Sequence, residues 1–100
     1  MDKYTVKIYA KAYRDLDKIY DYIACNLLEP SIAHKIIDSL EEAIYSLEEL
    51  PERGIIRRLG IFADSDYRQL FVKNYVIIYR VLNEKKEVHI VTIQYAMRQF

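Results

Sequence analysis

Several residue types that hold small proteins together or build catalytic sites are scarce in this 100-residue chain. It has one cysteine, Cys25, no tryptophan and only two glycines, Gly54 and Gly60. A lone cysteine excludes an internal disulfide framework and fits a reducing compartment. Two glycines are too few for a glycine-rich phosphate-binding loop. Neither His34 nor His89 has partners at the spacing of a catalytic triad or a metal site, so neither a metal nor another cofactor is predicted.

The chain also lacks a long hydrophobic run. Its longest apolar stretches, such as 75-YVIIY-79, are far shorter than the ~20 residues that span a bilayer as a helix. The N-terminal MDKYTVK is charged and has no apolar centre, so no secretory signal is predicted. With 52% hydrophobic and 30% charged residues, the composition is ordinary for a folded protein. We therefore expect a single cytoplasmic domain over residues 1–100, without membrane contact.

The formal net charge is zero, but the charges are unevenly distributed along the chain. Residues 1–52 hold six Lys/Arg and eleven Asp/Glu, which gives −5, whereas residues 53–100 hold nine and four, which gives +5. Such an asymmetry indicates an interaction surface in the basic half. The acidic residues of the first half are interpreted as the solvated backs of helices.

Hydrophobic periodicity predicts a strand followed by two helices. Alternation over residues 4–9 is typical of a strand, and apolar residues at helical spacing predict a first helix from residue 12 to about residue 27. Pro30 breaks this helix and suits the first turn of a second one, which ends at about Leu50 before Pro51. Since neither helix can bury its apolar stripe alone, the two should form an antiparallel hairpin.

The last third of the chain predicts a β-sheet. Three further strands are predicted at residues 67–72, 75–81 and 88–94. Lys73-Asn74 joins the first two in a tight hairpin, because Asn tolerates positive φ, and this register places Arg68 opposite Tyr79. The element order β-α-α-β-β-β predicts an α+β fold, with the helical hairpin packed on one face of a small, mostly antiparallel four-stranded sheet.

The predicted register gives the two faces of the sheet different characters. The face assigned to the helices carries Leu70, Val72, Tyr75, Ile77, Tyr79 and Val81. The opposite face carries Tyr67, Gln69, Phe71, Val76, Ile78 and Arg80. Because this opposite face is partly apolar but ends in polar and cationic groups, it needs a cover, either the chain's own tail or a partner.

The order and spacing of these segments match a known family over essentially the whole chain. The matching segments are 4-YTVKI-8, 12-AYRDLDKIYDYI-23, 50-LPERG-54, 67-YRQLFVKNYVIIYRV-81 and 88-VHIVTIQYAMRQF-100. Together they resemble the RelE/ParE superfamily of bacterial toxins from type II toxin–antitoxin systems. The resemblance implies a growth-inhibiting toxin without a small-molecule substrate. It also implies a cognate antitoxin protein that inactivates the toxin by laying an extended or helical segment over it.

The superfamily resemblance implies one of two targets. RelE-like members cut mRNA on the ribosome, whereas ParE-like members inhibit DNA gyrase without known catalysis of their own. The nuclease members commonly carry an Arg where this chain has Val76, and a second basic residue where it has Met97. These departures and a near-neutral isoelectric point favour the gyrase inhibitor over the nuclease. A non-toxic binding module on the same fold is a further alternative.

The resemblance also suggests candidate site residues. If the nuclease hypothesis holds, the catalytic candidates are Arg98, Tyr95 and Arg80, because metal-free cleavage at a 2′-hydroxyl needs proton transfer and cations near the phosphate. The candidates for target or antitoxin binding are Arg68, Phe71, Val76, Ile78 and Arg80.

A functional and a structural interpretation of these residues both stay open. In the functional interpretation, the side chains of Arg68, Arg80, Tyr95 and Arg98 could converge on one phosphate, since their strands are neighbours. In the structural interpretation, Arg68 pairs with an acidic residue of the preceding connection, Asp64 or Asp66. Tyr95 then packs at a strand end and Arg98 is a surface charge.

Overall fold

An α+β architecture is formed by residues 3–56 and 67–96, the part of the chain that the computed structural model describes. The strands of this part are β1 (Thr5–Ile8), β2 (Ile55–Ile56), β3 (Tyr67–Val72), β4 (Tyr75–Leu82) and β5 (Glu87–Tyr95). Its helices are α1 (Ala10–Asp21), which continues as a π-helical turn (Tyr22–Asn26), and α2 (Pro30–Ser46). Neither helix of this described part combines the length and the hydrophobicity that a membrane-spanning helix needs.

The strands form one sheet in the order β1-β5-β4-β3-β2. β1 runs parallel to β5, and the other neighbouring pairs are antiparallel. The predicted mostly antiparallel sheet is therefore confirmed, but the predicted count of four strands is too low. Sequence periodicity misses β2, because two residues are too few to show an alternation.

The β3–β4 hairpin has the predicted register, with Arg68 opposite Tyr79. The turn also falls on the predicted residues, Lys73 and Asn74. The positive φ, however, belongs to Lys73, at 56°, and not to Asn74. The Asn74 carbonyl oxygen instead accepts a hydrogen bond from the backbone N–H of Ala96 (2.8 Å), which ties the turn to the end of β5.

Both helices pack on the predicted face of the sheet. The core there is formed by Ala12, Leu16, Leu40, Ala43, Ile44 and Leu47 of the helical segment and by Leu70, Ile77, Tyr79, Val88, Ile90 and Ile93 of the sheet. Val72, Tyr75 and Val81 complete the predicted face and are partly buried against this core. The assignment of this face from strand alternation is therefore confirmed.

The second helix ends earlier than its apolar periodicity predicts. α2 ends at Ser46 rather than at about Leu50. The Ser46 hydroxyl donates to the Ala43 carbonyl oxygen (2.6 Å) and accepts a hydrogen bond from Arg53 Nη1 (2.8 Å). Such a side chain offers the backbone an alternative to the helical pattern. The periodicity does not reveal this end, because Leu47 continues the buried stripe from the turn that follows.

A carboxylate of α1 replaces a missing strand neighbour of β5. Residues 91–95 extend beyond the part of β5 that pairs with β1. There Asp15 Oδ2 accepts hydrogen bonds from the backbone N–H of Ile93 (3.0 Å) and from the Thr92 hydroxyl. Lys11 Nζ contacts both the Asp15 carboxylate (3.0 Å) and Thr92 Oγ1 (2.9 Å). A backbone donor without a strand partner is thereby satisfied, and α1 is fixed to the sheet.

The buried hydroxyl of Tyr79 connects the sheet to the segment that follows α2. Tyr79 Oη accepts the backbone N–H of Gly54 (2.8 Å) and donates to the Pro51 carbonyl oxygen (2.9 Å). Arg68 Nη1 donates to the Gly54 carbonyl oxygen (2.8 Å). A Cβ at Gly54 would lie 2.6 Å from the backbone oxygen of Gln69, so only glycine fits there. Burial raises the pKa of the Tyr79 hydroxyl above its usual 10.0, so it is a permanent donor at neutral pH.

Replacing Tyr79 by Phe should lower the free energy of unfolding by about 1–3 kcal/mol, because the Gly54 N–H and the Pro51 carbonyl lose a buried partner. Urea denaturation followed by circular dichroism measures this difference. The control is Tyr45→Phe on α2, where the side chain is 49% exposed and little change is expected. Equal stabilities of Tyr79→Phe and the unmodified chain would show that these hydrogen bonds do not hold the segment.

Candidate functional site

The sheet face away from the helices carries a row of polar and aromatic side chains. The strand register aligns Lys7 of β1, His89 of β5, Arg80 of β4 and Tyr67 of β3 across four strands. The residues that flank Lys7, His89 and Arg80 in sequence belong to the core under the helices or pack against it. Because side chains alternate along a strand, these polar groups lie on the opposite face. We call them the polar row.

His89 lies at the centre of a chain of hydrogen-bonded titratable groups. Its Nδ1 is 2.9 Å from the Tyr9 hydroxyl oxygen, and its Nε2 is 2.9 Å from Glu87 Oε1. Lys7 Nζ lies 3.2 Å from Glu87 Oε2. Tyr9 directly follows β1 and Glu87 is the first residue of β5, so the parallel pairing of these strands brings the four groups together. We call Tyr9, His89 and Glu87 the Tyr–His–Glu array.

Sequence reasoning did not find this array, because His89 has no partners at the sequence spacing of a catalytic triad or a metal site. The available signal was Glu87, two residues before His89 and therefore on the same face of the strand. Tyr9 lies 80 positions away in sequence, and only the parallel β1–β5 pairing reveals that contact.

The Glu87 carboxylate determines where the protons of the array are. Hydrogen bonds from His89, and next from Lys7, lower the pKa of the Glu87 carboxyl below its usual 4.5. An ionised carboxylate only accepts hydrogen bonds, so Nε2 of His89 carries a proton. In the neutral ring Nδ1 is then an acceptor, and the Tyr9 hydroxyl donates to it.

Arg80 holds its charge against an aromatic ring in the same row. Its guanidinium carbon lies 5.3 Å from the centroid of the Tyr67 ring, within the range of a cation–π interaction. Arg80 and Tyr67 are directly opposite each other on β4 and β3. The row therefore places a partly buried cation next to His89.

A groove opens between the helical hairpin and the end of the sheet. It has a volume of about 550 Å³. Its apolar lining includes Tyr22, Leu27, Ile32, Tyr75 and Tyr95, and Lys18 is the one charged residue among the described residues that line it. Tyr22 and Leu27 are 54% and 51% exposed and line the same groove, so they form a contiguous apolar surface. We call this surface the apolar groove.

The backbone beside the groove is irregular. The π-helical turn (Tyr22–Asn26) contributes groove residues, and such turns often occur at functional sites. Leu28 follows with φ at 54° and a 77% exposed side chain. A left-handed conformation costs a non-glycine residue roughly 1–2 kcal/mol. Leu28 thus combines backbone strain with an apolar side chain in solvent.

The described catalytic and phosphate-binding candidates do not come together at one site. Arg68 lies opposite Tyr79 on the helix side and binds the Gly54 carbonyl, whereas Arg80 lies on the other face. Tyr95 lines the apolar groove, where its ring packs on Tyr75 with centroids 5.5 Å apart. The proposed convergence of the Arg68, Arg80 and Tyr95 side chains is therefore wrong, because strand alternation separates Arg80 from the other two.

Three predicted positions lie outside the described residues. They are Arg98, the third catalytic candidate, and the two acidic residues suggested as partners of Arg68, Asp64 and Asp66. The role assigned to Arg98 stays a prediction.

The candidate binding residues differ in their exposure. Val76 and Ile78 are 1% and 0% exposed, so the chain itself already buries them. They lie on the central strand β4, with side chains of β3 and β5 on both sides. Phe71 is 56% exposed and is therefore the apolar candidate of this face that is open to solvent. The role of these residues in target or antitoxin binding stays a prediction.

The described residues do not supply the group of ligands that a metal centre needs. Within residues 3–56 and 67–96, no group of three His, Cys, Asp or Glu side chains could hold a metal ion.

Comparison with known proteins shows the family of the chain. The model of the family described as ParE toxin of type II toxin-antitoxin system, parDE, matches residues 6–100. This chain therefore belongs to the ParE family of type II toxin–antitoxin toxins, within the RelE/ParE superfamily. No curated protein sequence is similar enough to count as a relative.

Solved structures share the fold. A chain of a chromosomal ParDE toxin–antitoxin system from P. aeruginosa is 26% identical, with a TM-score of 0.75, and the match covers 93% of this chain and 96% of the other. The RelBE2 toxin–antitoxin complex from Mycobacterium tuberculosis contains a chain that is 24% identical, with a TM-score of 0.63 and coverages of 93% and 98%. A mutant of the E. coli toxin RelE in the free state is 16% identical, with a TM-score of 0.66 and coverages of 97% and 87%.

Replacing Glu87 by Gln should reduce stability at neutral pH by more than it does in acid. A carboxyl whose pKa is lowered by folding stabilises the folded state while it is ionised, and this contribution is lost as the pH falls below about 4.5. Thermal unfolding of both proteins across this pH range measures the difference. The control is Glu84→Gln in the exposed β4–β5 turn. A difference that does not change with pH would contradict an ionised, hydrogen-bonded Glu87.

Proposed function

We propose that this protein stops bacterial growth in the cytoplasm by binding DNA gyrase, and that a cognate antitoxin neutralises it. The observation that carries the proposal is the match of the ParE toxin family model to residues 6–100. The structural similarity to a ParDE system at 26% identity agrees with it.

The placement of the candidate catalytic residues supports gyrase over mRNA as the target. Metal-free RNA cleavage needs proton-transfer groups and cations around one phosphate. Here Arg80 and Tyr95 lie on opposite faces of the sheet, and Arg68 is bound to a backbone carbonyl. Val76 occupies the position of a common nuclease Arg and is only 1% exposed. Binding, rather than cleavage, is the action that this arrangement favours.

The face with the polar row is the proposed contact surface for the target. Phe71 supplies exposed apolar area, and Arg80 supplies a cation on the same face. Aromatic and arginine side chains dominate the energetics of many protein interfaces. Phe71 is therefore the residue whose loss should weaken target binding most.

The apolar groove is the proposed docking site for the antitoxin. Its occupant is an apolar segment that also carries an acidic residue, because Lys18 is the one charge among the described residues lining the groove. The conformation and exposure of Leu28 support the proposal that a partner binds beside this groove. Its strained backbone and exposed side chain gain no packing in the free chain, whereas a bound segment would cover the side chain.

Two assays of the purified protein separate the possible targets. We expect inhibition of gyrase supercoiling of plasmid DNA, and no cleavage of mRNA on programmed ribosomes. The Phe71→Ser variant should inhibit gyrase at least about tenfold less well, since loss of a central interface aromatic commonly costs more than 1.4 kcal/mol.

Three results would contradict this account of the target. Ribosome-dependent cuts that disappear in Arg98→Ala, with supercoiling unaffected, would identify a nuclease. Harmless expression of the folded chain in bacteria would identify a non-toxic binding module. Full inhibition of gyrase by Phe71→Ser would move the target contact to another surface.

Replacing Ile32 by Glu in the apolar groove should weaken antitoxin binding by about tenfold or more, because a charge then has to be buried against an apolar segment. Isothermal titration with the protein encoded by the adjacent small gene measures the affinity. The matched control is Tyr45→Glu on the same helix, which is 49% exposed, similar to 44% for Ile32, and lies outside the groove lining. Equal losses for both variants would show that the groove is not the docking site.

A further inference from the structure

The Tyr–His–Glu array has the arrangement of an activated nucleophile. A hydroxyl lies within hydrogen-bond reach of a base, and a third group orients the base. Here the hydroxyl is that of Tyr9, the base is Nδ1 of His89, and Glu87 holds the opposite ring nitrogen, each at 2.9 Å. We propose that Tyr9 is a covalent modification site, whose hydroxyl accepts a phosphoryl group from an activated phosphate donor.

The hydrogen-bond directions give the array its reactivity. Because the Glu87 carboxylate accepts the Nε2 proton, the free lone pair of the neutral imidazole is on Nδ1, where the Tyr9 hydroxyl donates. The phenolic proton therefore has an acceptor already in place. The positive charge that develops on the ring during transfer is stabilised by the carboxylate, as in hydrolase triads.

A second Tyr–His pair in the same chain lacks the orienting carboxylate. The Tyr20 hydroxyl oxygen lies 3.2 Å from His34 Nε2, and the two rings are also in edge contact, with centroids 5.2 Å apart. No carboxylate among the described residues contacts His34, so nothing there determines which ring nitrogen carries the proton. This pair is an internal control for the role of Glu87.

The surroundings of Tyr9 suit an anionic donor. Tyr9 is 39% exposed, so its hydroxyl can be reached from solvent. Lys7 projects from the same strand face with a side chain that is 56% exposed, and the half-buried Arg80 lies across from His89 on β4. These cations attract the negative charge of a phosphate ester or anhydride.

The transfer balances in one step. The Tyr9 oxygen forms a bond to the donor phosphorus, and the bond from phosphorus to the leaving group breaks with its electron pair on that group. The phenolic proton moves to His89 Nδ1, which later releases it to solvent or to the leaving group. The product is a phosphorylated or otherwise phosphoryl-modified Tyr9, which adds negative charge beside Glu87.

A fluorophosphonate tests the proposal directly, because attack on its phosphorus releases fluoride and leaves a stable adduct. The folded protein is incubated with the probe, and peptide mass spectrometry gives the labelling rate of each tyrosine. We expect Tyr9 to react on the order of a hundredfold faster than Tyr13, which is 53% exposed, since a positioned base contributes 10²–10⁴. Tyr20 should react no more than a few times faster than Tyr13.

Variants identify the groups that activate Tyr9. His89→Phe and Glu87→Gln should each lower the Tyr9 rate at least tenfold, whereas His34→Phe should leave it unchanged. Thermal unfolding by circular dichroism establishes that each variant is folded. Tyr9 labelling no faster than that of Tyr13, or unchanged in a folded His89→Phe variant, would overturn the proposal.

The pH profile of the unmodified protein gives a test that does not depend on any variant. Charged or titratable groups that face His89 are Tyr9, Glu87, Lys7 and Arg80. Because the Tyr9 hydroxyl has a histidine base as its hydrogen-bond partner and no described histidine contacts the Tyr13 hydroxyl, the pH dependence of labelling should differ between the two tyrosines. A Tyr9 profile that follows that of Tyr13 would overturn the proposal as well.

Discussion

Burial of the helical hairpin against one face of the sheet is the constraint on which the other features depend. Once Ile77 and Tyr79 of β4 face the helices, alternation directs Val76, Ile78 and Arg80 of the same strand to the opposite face. The apolar groove forms at the margin of the helix-covered face, and the polar row forms on the other. The packing of the helices on one face of the sheet therefore produces two surfaces with different chemistry.

Tyr79 links this core to the chain segment after α2. Its hydroxyl is the partner of Gly54 and Pro51, and Arg68 completes the same set of bonds from the neighbouring strand. Arg68, which belongs to the basic half of the chain, therefore has a structural role. The charge asymmetry of the sequence therefore overstates the number of cations available to a partner, because Arg68 is bound internally.

Local patterns predict most of this fold, since strand alternation, helical periodicity and the Lys73-Asn74 turn are encoded within short windows of sequence. The β3–β4 register and the helix-facing side follow from them and are confirmed. The two-residue strand β2 could not be predicted, because it has no period. The Asp15–Ile93 and Tyr9–His89 contacts could not be predicted either, because they join residues 78 and 80 positions apart across the parallel edge of the sheet.

The candidate site was less predictable than the fold, because function depends on which face each side chain reaches. Sequence order suggested that the side chains of Arg68, Arg80 and Tyr95 could meet, and alternation across paired strands separates Arg80 from the other two. The predicted need for a cover over Val76 and Ile78 is met by the chain itself, whereas Phe71 stays exposed. The burial of a side chain depends on the whole fold, so a local pattern in the sequence does not predict it.

We propose that the antitoxin and the target bind different surfaces of this toxin. Hydrogen–deuterium exchange of the protein, alone and bound to its antitoxin, tests this separation. Antitoxin binding should slow exchange in the π-helical turn (Tyr22–Asn26) and the first turns of α2, and should leave the polar row around His89 unchanged. Protection confined to the polar row, with free exchange at the groove, would contradict it.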